Sequence, residues 1–157
     1  MSEPQTRSVQ QLMDLSGRTA PVTGGSRGLG LQMAQALGEA GARLVISSRK
    51  ANELEEAAEQ LRAAGIDVTP LAVDLADEDA VIGLADRALE VLGRVDILVN
   101  NAGASWGAPA EDYPMEGWDK VMTLNVRNLF LLTREIGRRS MIPNGGGRVV
   151  NVASNAA

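Results

Sequence analysis

The residues Thr23-Gly-Gly-Ser-Arg-Gly-Leu-Gly30 link a short run of β-forming residues to a helical run. Glycines at such a link let the backbone turn tightly, and they let a diphosphate approach the N-terminus of the helix. The spacing is G-x-x-x-G-x-G, since Met33 stands where the third glycine of G-x-G-x-x-G would fall. It is not a P-loop, because Leu31 rather than lysine follows Gly30. A glycine-rich turn without a ligand is the alternative, but the position after a first strand favours a dinucleotide.

The chain alternates between short β-rich runs and longer helical runs from Arg18 onward, which predicts an α/β fold. The β-rich runs are nearly continuous in apolar residues, so we expect a parallel sheet with helices on both faces. Right-handed crossovers favour a Rossmann-type doubly wound sheet with strand order 3-2-1-4-5. The predicted strands cover residues 18–23, 43–47, 67–73, 95–99 and 147–153, and the predicted helices cover residues 28–40, 52–64, 77–92 and 116–139.

Local signals set the expected limits of this fold. Residues 1–14 predict a flexible N-terminal arm, so the nucleotide-binding domain spans residues 15–157 and is truncated after the fifth strand. Asn52 is the predicted N-cap of the second helix. Pro21 fits badly, because it falls in the central strand and cannot donate to the ladder. The missing hydrogen bond costs about 1 kcal/mol.

The composition excludes several classes of protein. The chain has 157 residues, of which 45% are hydrophobic and 22% charged, as is typical of one globular domain. It has neither cysteine nor histidine, which excludes disulfide scaffolds, thiolate metal sites and Ser-His-Asp catalysis, so no metal is expected. The net charge of −5 and the few aromatic residues argue against nucleic-acid binding. No apolar run has the length of a membrane span or a signal peptide, so we expect a cytoplasmic protein.

The end of the second strand indicates which dinucleotide the site prefers. In such folds an Asp or Glu about 20 residues after the glycine loop accepts hydrogen bonds from a free ribose 2′-hydroxyl. This chain has Ser47-Ser-Arg-Lys50 there, with two cations and no carboxylate. The Arg49 guanidinium can form a fork onto the oxygens of a 2′-phosphate, and Arg27 adds positive charge. Solvated surface cations are the alternative interpretation, but we favour NADP over NAD.

Four short motifs follow one another along the chain. Thr23–Gly30 has the form T-G-x-x-x-G-x-G, and Asn100-Asn-Ala-Gly103 follows the fourth predicted strand. Asn125 lies in Leu124-Asn-Val126, and Asn151-Val-Ala-Ser154 ends the fifth strand. In this order the motifs resemble those of the short-chain dehydrogenase/reductase family. The finer pattern, in residues 100–107, 113–114 and 117–122, is most similar to gluconate 5-dehydrogenase-like enzymes and β-ketoacyl reductases.

The resemblance implies an NADP-dependent transfer of hydride between nicotinamide and a small-molecule carbonyl or secondary alcohol. It implies that Ser154 hydrogen-bonds the substrate carbonyl and that Asn125 holds a water in a proton relay. Full-length relatives of this kind are usually homo-oligomers. The implied cofactor contacts are Gly24, Ser26, Arg27, Gly28 and Leu29 in the glycine loop, Arg49 at the 2′-phosphate, Asp74 and Leu75 beside the adenine, and Asn101, Ala102 and Gly103 on the ribose and nicotinamide side.

The family's catalytic Y-x-x-x-K pair does not occur in this sequence. The only tyrosine is Tyr113, with Gly117 four residues later, and the only lysines are Lys50 and Lys120. We therefore expect the N-terminal portion of a reductase, inactive by itself. The alternatives are a dinucleotide-binding module without catalysis and an interaction module whose long helix binds another chain.

The long helix and the loop before it carry two further expectations. Asn125 falls on the apolar stripe of this helix, so it is either a structural amide bonded to backbone or the relay residue, or both. The loop residues Trp106, Glu111, Tyr113 and Trp118 either contact substrate or pack the loop. The apolar stripe consists of Trp118, Met122, Leu129, Leu132 and Ile136.

Overall fold

The computed structural model describes residues 7–154, and it confirms the predicted sheet. The five parallel strands lie in the order β3-β2-β1-β4-β5. The strands are β1 (Thr19–Thr23), β2 (Arg43–Ser48), β3 (Val68–Ala72), β4 (Ile97–Asn100) and β5 (Arg148–Asn151). The helices are α1 (Val9–Met13), α2 (Gly28–Glu39), α3 (Ala51–Ala63), α4 (Glu78–Leu92), α5 (Met115–Met122) and α6 (Leu129–Ile136), with a 3₁₀ turn at Ala110–Asp112.

Helices cover both faces of the sheet, and alternating strand residues supply the two apolar layers. Leu44 and Ile46 of β2 pack with α2 and α3 on one face. Val45 points to the other face, where it packs with α4 and α6. These β2 side chains are at most 1% exposed. The near-continuous apolar pattern of the strands is therefore the consequence of burial on both faces, as expected for a doubly wound sheet.

Side chains fix the ends of α4. The Asp77 carboxylate accepts a hydrogen bond from the Ala80 amide at the N-terminus of the helix. At the C-terminus, the Arg43 guanidinium donates to the carbonyls of Val91 and Leu92 at 3.0 and 2.6 Å. Both groups match the sign of the helix dipole. The predicted Asn52 cap of α3 is wrong, because the helix begins at Ala51 and its N-cap is Lys50.

Lys50 occupies the N-cap position of α3 without a side-chain capping bond to any described residue. The Lys50 ammonium instead binds the Glu53 carboxylate in the first turn at 2.6 Å. A carboxylate in the first turn also interacts favourably with the positive end of the helix. The start of α3 is therefore set by this acidic residue rather than by Asn52.

Pro21 lacks a backbone donor on the side of β1 that faces β4, and the ladder between β1 and β2 does not need that donor. The Asp96 amide donates to Thr19 O, so the backbone of Thr19 faces β4. Successive residues of a parallel strand alternate between their two neighbours, and Pro21 therefore also faces β4. The register with β2 runs unbroken from Thr19 to Thr23, whereas the register with β4 consists of Val22 opposite Val99. The cost of the proline falls on the β1–β4 ladder alone.

The predicted helix 116–139 is helical without a break, but it contains two π-helical segments. These segments are Thr123–Asn128, between α5 and α6, and Gly137–Met141, after α6. The first segment rotates the face of the helix. Leu132 and Ile136 are buried, but Trp118 is 51% exposed and Met122 is 36% exposed. The apolar stripe is therefore buried at Leu132 and Ile136 and exposed at Trp118 and Met122.

The terminal parts of the chain differ in detail from the sequence expectations. Within the predicted arm 1–14, residues 9–13 form the short helix α1, and a capping box between Ser8 and Gln11 starts it. Residues 1–6 and 155–157 lie outside the described part, so the flexibility of the arm stays a prediction. The edge strand β5 is shorter than predicted, and all of its residues are exposed.

A buried carboxylate holds the amino end of the sheet. Asp96 is 7% exposed, and its carboxylate accepts hydrogen bonds from Arg94, Arg18 and the backbone amide of Thr19. Burial raises the pKa of Asp96, but the hydrogen bonds from Arg94 and Arg18 outweigh it, so the pKa lies below its ordinary value. The carboxylate therefore stays ionised and ties β1 to β4 on the side where Pro21 weakens the ladder.

Candidate functional site

A cleft of about 380 Å³ lies at the carboxyl ends of the strands, and all of the predicted cofactor residues line it. Such an edge is where doubly wound sheets bind their ligands. The sequence missed six other lining residues, of which five lie within four positions of a predicted cofactor residue along the chain and the sixth, Leu124, comes from the long helix. The predicted lining residues are Gly24, Ser26, Arg27, Gly28, Leu29, Arg49, Asp74, Leu75, Asn101, Ala102 and Gly103, and the missed ones are Gly30, Ser48, Lys50, Glu53, Val73 and Leu124.

Steric contacts explain three glycines of the loop, one of which is Gly25, where an added Cβ would lie 2.9 Å from Ile46 Cβ. Gly24 has φ of +66°, and a Cβ added there would lie 2.8 Å from Asn101 Nδ2. A Cβ added at Gly30 would lie 2.1 Å from Gly24 O, so the first turn of α2 sits directly on the loop. At Gly28 an added Cβ would meet nothing within 4 Å. The loop is closed on the protein side and open on the cleft side.

The N-terminus of α2 faces this cleft. The helix begins at Gly28, and its N-cap residue Arg27 makes no side-chain capping bond within the described chain. The first amides of a helix have no intrahelical acceptor, and they carry the positive end of the helix dipole. Gly28, Leu29 and Gly30 all line the cleft, and Leu29 is 64% exposed rather than packed in the core. This end of the cleft is built to accept an anion.

Thr23 joins the glycine loop to the end of β4. Its hydroxyl accepts hydrogen bonds from the amides of Asn101 and Ala102, both at 3.0 Å, and donates to Val99 O at 3.3 Å. The Asn101 side chain returns the contact by donating to Thr23 O at 3.0 Å and to Gly24 O at 3.3 Å. Thr23 is the first residue of the glycine-loop motif, and the motif alone predicts no role for its hydroxyl. The structure shows that its hydroxyl ties the start of the glycine loop to Asn101 and Ala102, which follow β4.

Cations flank the cleft where β2 ends. Arg49 and Arg27 are both exposed, and neither is within 4 Å of a carboxylate of residues 7–154. Lys50, in contrast, binds the Glu53 carboxylate. The hydrogen bond from Lys50 lowers the pKa of Glu53, and the charge of Arg27 lowers it further. Two guanidinium groups are thus left to bind an anion from solution.

Asn125 binds backbone rather than facing the core. Its Oδ1 accepts from the Ala104 amide and its Nδ2 donates to Ala104 O, both at 2.8 Å. The structural part of the Asn125 prediction is confirmed, and its relay role stays a prediction. The buried amide of this helix is Asn128 instead, which is 2% exposed and donates to Leu75 O at 2.7 Å. Both contacts originate in the first π-helical segment, which sequence periodicity does not reveal.

Ser154 lies beyond β5 at the same edge of the sheet and is exposed. The Val152 amide before it donates to Asn100 O at 2.9 Å, and the Asn151 side chain accepts from Asn100 Nδ2 at 2.9 Å. These bonds continue the β4–β5 pairing past the end of the strand. Ser154 and Asn125 are not among the residues that line the 380 Å³ cleft, but Asn125 lies next to it, because a Cβ added at the lining residue Gly103 would be 3.4 Å from Asn125 Oδ1.

The loop residue Trp106 packs against the protein. A Cβ added at Gly117 would lie 2.7 Å from the Trp106 ring, and the Lys120 ammonium lies 5.2 Å from the ring centroid. The Tyr113 hydroxyl donates to Trp106 O at 3.3 Å. The loop-packing interpretation therefore holds for Trp106 and Tyr113.

Two classes of feature are not found in the part of the chain that the structure describes. No three His, Cys, Asp or Glu side chains come together in a way that could hold a metal ion. No helix there combines the length and the apolar character that crossing a bilayer requires.

The chain is similar to curated oxidoreductases. It is 46% identical over 145 residues to the rhamnolipids biosynthesis 3-oxoacyl-[acyl-carrier-protein] reductase of Pseudomonas aeruginosa, covering 90% of this chain and 56% of that protein. It is 39% identical over 143 residues to the gluconate 5-dehydrogenase of Gluconobacter oxydans, covering 91% and 56%. The chain thus spans about half the length of these relatives.

Solved structures show the same fold with different cofactors. A metagenomic short-chain oxidoreductase in complex with NADP has a TM-score of 0.85 and 38% identity, covering 90% of this chain and 64% of its own. An NAD⁺-bound xylitol dehydrogenase has a TM-score of 0.85 and 34% identity, covering 90% and 55%. The model of the short chain dehydrogenase family matches residues 18–157. Together with the sheet order and the glycine loop, this match shows that the chain belongs to the short-chain dehydrogenase family.

Proposed function

We propose that this chain is the NADP-binding portion of an oxidoreductase that transfers hydride between nicotinamide and a carbonyl or secondary alcohol. The observation that carries the proposal is the cleft, where a helix N-terminus and two guanidinium groups without a carboxylate partner among residues 7–154 line one cavity. When bound, the dinucleotide supplies the hydride acceptor or donor. The residues of this chain bind and orient it.

The geometry of the glycine loop fits a diphosphate. The amides of the first turn of α2 donate toward the cleft, and the absence of a Cβ at Gly28 leaves room beside them. The remaining contacts divide along the cleft. Asp74 and Leu75 form the wall for the adenine, and Asn101, Ala102 and Gly103 form the wall on the ribose and nicotinamide side.

Arg49 selects the phosphorylated cofactor. It is exposed and lines the cleft beside Ser48, and Arg27 of the glycine loop lines the same cleft. A guanidinium binds phosphate oxygens in a fork, and each such charge-assisted bond contributes about 1.5–3 kcal/mol. A nucleotide without the 2′-phosphate cannot use this interaction. The chain therefore discriminates NADP from NAD by charge rather than by shape.

Calorimetric titration of the wild-type chain with NADPH and NADH tests the proposal. We expect Arg49→Asp to weaken NADPH binding about 10- to 100-fold while changing NADH binding much less. Arg87→Asp is the matched control, because it makes the same charge change on an exposed part of α4 outside the cleft. Equal losses for both cofactors, or an equal loss in the control, would contradict the assignment of Arg49.

Catalysis requires groups that this sequence does not contain. Ser154 would hydrogen-bond the substrate carbonyl. Asn125, which lies in the π-helical segment and binds the Ala104 backbone, would hold a relay water. A general acid contributes about 10²–10⁴ in rate, and the sequence has no Y-x-x-x-K to supply it. We therefore propose that the 157-residue chain binds NADPH without reducing carbonyl compounds. Carbonyl reduction by the purified chain, measured as NADPH oxidation, would contradict this proposal.

An exposed apolar face supports a second function, association with another chain. Trp118, Met122, Val126 and Phe130 follow one another at intervals of four residues, and they are 51%, 36%, 51% and 64% exposed. A contiguous apolar surface of this kind is typical of an interface. We propose that this surface, the 118–130 face, joins copies of the protein into a homo-oligomer. Sedimentation of the wild-type chain as a monomer at micromolar concentration would contradict it.

A further inference from the structure

The buried amide of Asn128 has one hydrogen bond too few. Its Nδ2 donates to Leu75 O at 2.7 Å, which fixes the orientation of the amide because a carbonyl can only accept. Its Oδ1 is buried and accepts no hydrogen bond from residues 7–154. A buried polar atom without a partner costs about 1–3 kcal/mol. Such atoms in folded proteins normally bind an ordered water instead.

A small cavity lies beside this amide. The space open to the centre of a water molecule measures about 10 Å³, which is close to the minimum for one water. The lining combines polar groups, Thr23, Asn100 and Asn128, with apolar side chains. A single water has room there, and one of the lining residues is Asn128, whose Oδ1 has no partner among residues 7–154.

The cavity lies directly behind the wall of the cofactor cleft. Leu75, Ala102 and Leu124 line both spaces, so each of these residues has the cleft on one side and the cavity on the other. A second hydrogen bond fixes the turn that contains Leu75. The Asp74 carboxylate before it accepts from the Ala76 amide after it at 3.0 Å. We call the part of the cleft lined by Asp74 and Leu75 the Leu75 wall. Asn128 holds the Leu75 carbonyl of this wall, and the content of the cavity supports the wall from behind.

We propose that Asn128 and one buried water form a brace that positions the Leu75 wall of the cofactor cleft. Asn128 is a positioning residue in this proposal, since it does not line the cleft. It acts from the same π-helical segment as Asn125, which binds the backbone of Ala104, one residue past the lining residue Gly103. The positioning role rests on the proposed dinucleotide function, whereas the water site does not.

A ligand that fills only the adenine half of the cleft provides the sharpest test. Adenosine 2′,5′-bisphosphate carries the adenine and the 2′-phosphate, so its affinity reports the Leu75 wall without the nicotinamide side. We expect Asn128→Leu to weaken its binding about five- to tenfold, as loss of one hydrogen bond allows. Ile136→Ala is the control for lost stability, because Ile136 is fully buried in α6 and lines neither the cleft nor the cavity. We expect it to bind adenosine 2′,5′-bisphosphate within twofold of wild type at a temperature where both variants are folded.

A high-resolution crystal structure of the wild-type chain tests the water without any substitution. We expect one ordered water within hydrogen-bond distance of Asn128 Oδ1. A dry cavity, or equal affinity of wild type and Asn128→Leu, would overturn the brace. Should Asn128→Leu fail to fold, Asn128→Ser replaces it and is expected to give the intermediate loss of a shorter polar side chain. A wild-type chain that binds neither NADPH nor adenosine 2′,5′-bisphosphate would overturn the proposed function instead, and the crystal structure would still decide the water site.

Discussion

Replacing Gly30 with alanine is expected to disable the cleft through a single steric conflict. An added Cβ would lie 2.1 Å from Gly24 O and 2.5 Å from Asn101 Nδ2. Ordinary contact begins at 3.4 Å, so the Gly24 carbonyl must retreat by about 1.3 Å. Neither group can move alone, because the Asn101 amide donates to both Thr23 O and Gly24 O.

Three contributions determine the size of the effect on stability. Overpacking costs about 1–3 kcal/mol. Loss of the two Asn101 hydrogen bonds adds about 0.5–1.5 kcal/mol each. The higher helix propensity of alanine recovers up to about 1 kcal/mol. We therefore expect Gly30→Ala to lower the free energy of unfolding by about 1–5 kcal/mol and to abolish NADPH binding, because the loop that we propose to face the diphosphate is displaced.

Gly83→Ala is the matched control for this change. Gly83 lies inside α4, and an added Cβ would meet nothing within 4 Å. The same substitution there is expected to stabilise the protein by about 0.5–1 kcal/mol through helix propensity alone. Urea unfolding followed by circular dichroism, with calorimetric titration of NADPH, measures both quantities. A Gly30→Ala variant with wild-type stability and wild-type affinity would refute the steric argument.

Three further substitutions probe other parts of the structure. The pKa of Asp96 is lowered in the folded protein, so its carboxylate stabilises the fold above the ordinary carboxyl pKa and this stabilisation disappears as the pH falls through the lower folded value. Asp96→Asn is therefore expected to cost about 1–3 kcal/mol at pH 7 and less near pH 3, and a pH-independent difference in urea midpoint would contradict this. Thr23→Val leaves two backbone amides without their acceptor and is expected to cost about 2–5 kcal/mol, whereas Thr23→Ser should recover most of it in the same urea assay. Phe130→Asp is expected to convert a homo-oligomer to monomer in sedimentation with unchanged NADPH affinity, and an unaltered sedimentation coefficient would exclude the 118–130 face as the interface.

The sheet and the cleft lining could be predicted because topology brings distant motifs together. The glycine loop, Arg49, Asp74 and Asn101 each follow a different strand, and parallel strands present their carboxyl ends at one edge. Their convergence therefore requires only the strand order. The hydrogen-bond partners of Thr23 were beyond this reasoning, since register at the strand ends decides which amides its hydroxyl reaches.

The face of the long helix could not be predicted, because periodicity assumes 3.6 residues per turn. The π-helical segment Thr123–Asn128 holds more residues per turn, and each residue of an α-helix corresponds to about 100° of rotation. An extra residue therefore moves Asn125 off the core-facing stripe and brings Asn128 onto it. The sequence pattern predicted that one asparagine of this helix would be buried, but it indicated the wrong one.

The cleft divides two tasks between two kinds of residue, and this division decides which substitutions change stability and which change specificity. Four side chains bind backbone groups of neighbouring elements, so substituting another side chain of the cleft does not remove these bonds. They are Thr23, Asn101, Asn125 and Asn128. Arg49 is exposed, and its side chain makes no such contact to residues 7–154. Exposed substitutions away from packed features change stability by less than about 0.5 kcal/mol. If the cleft binds a dinucleotide as proposed, charge at its mouth can therefore be altered to choose between nucleotides, while the walls of the proposed diphosphate site stay in place because other residues build them.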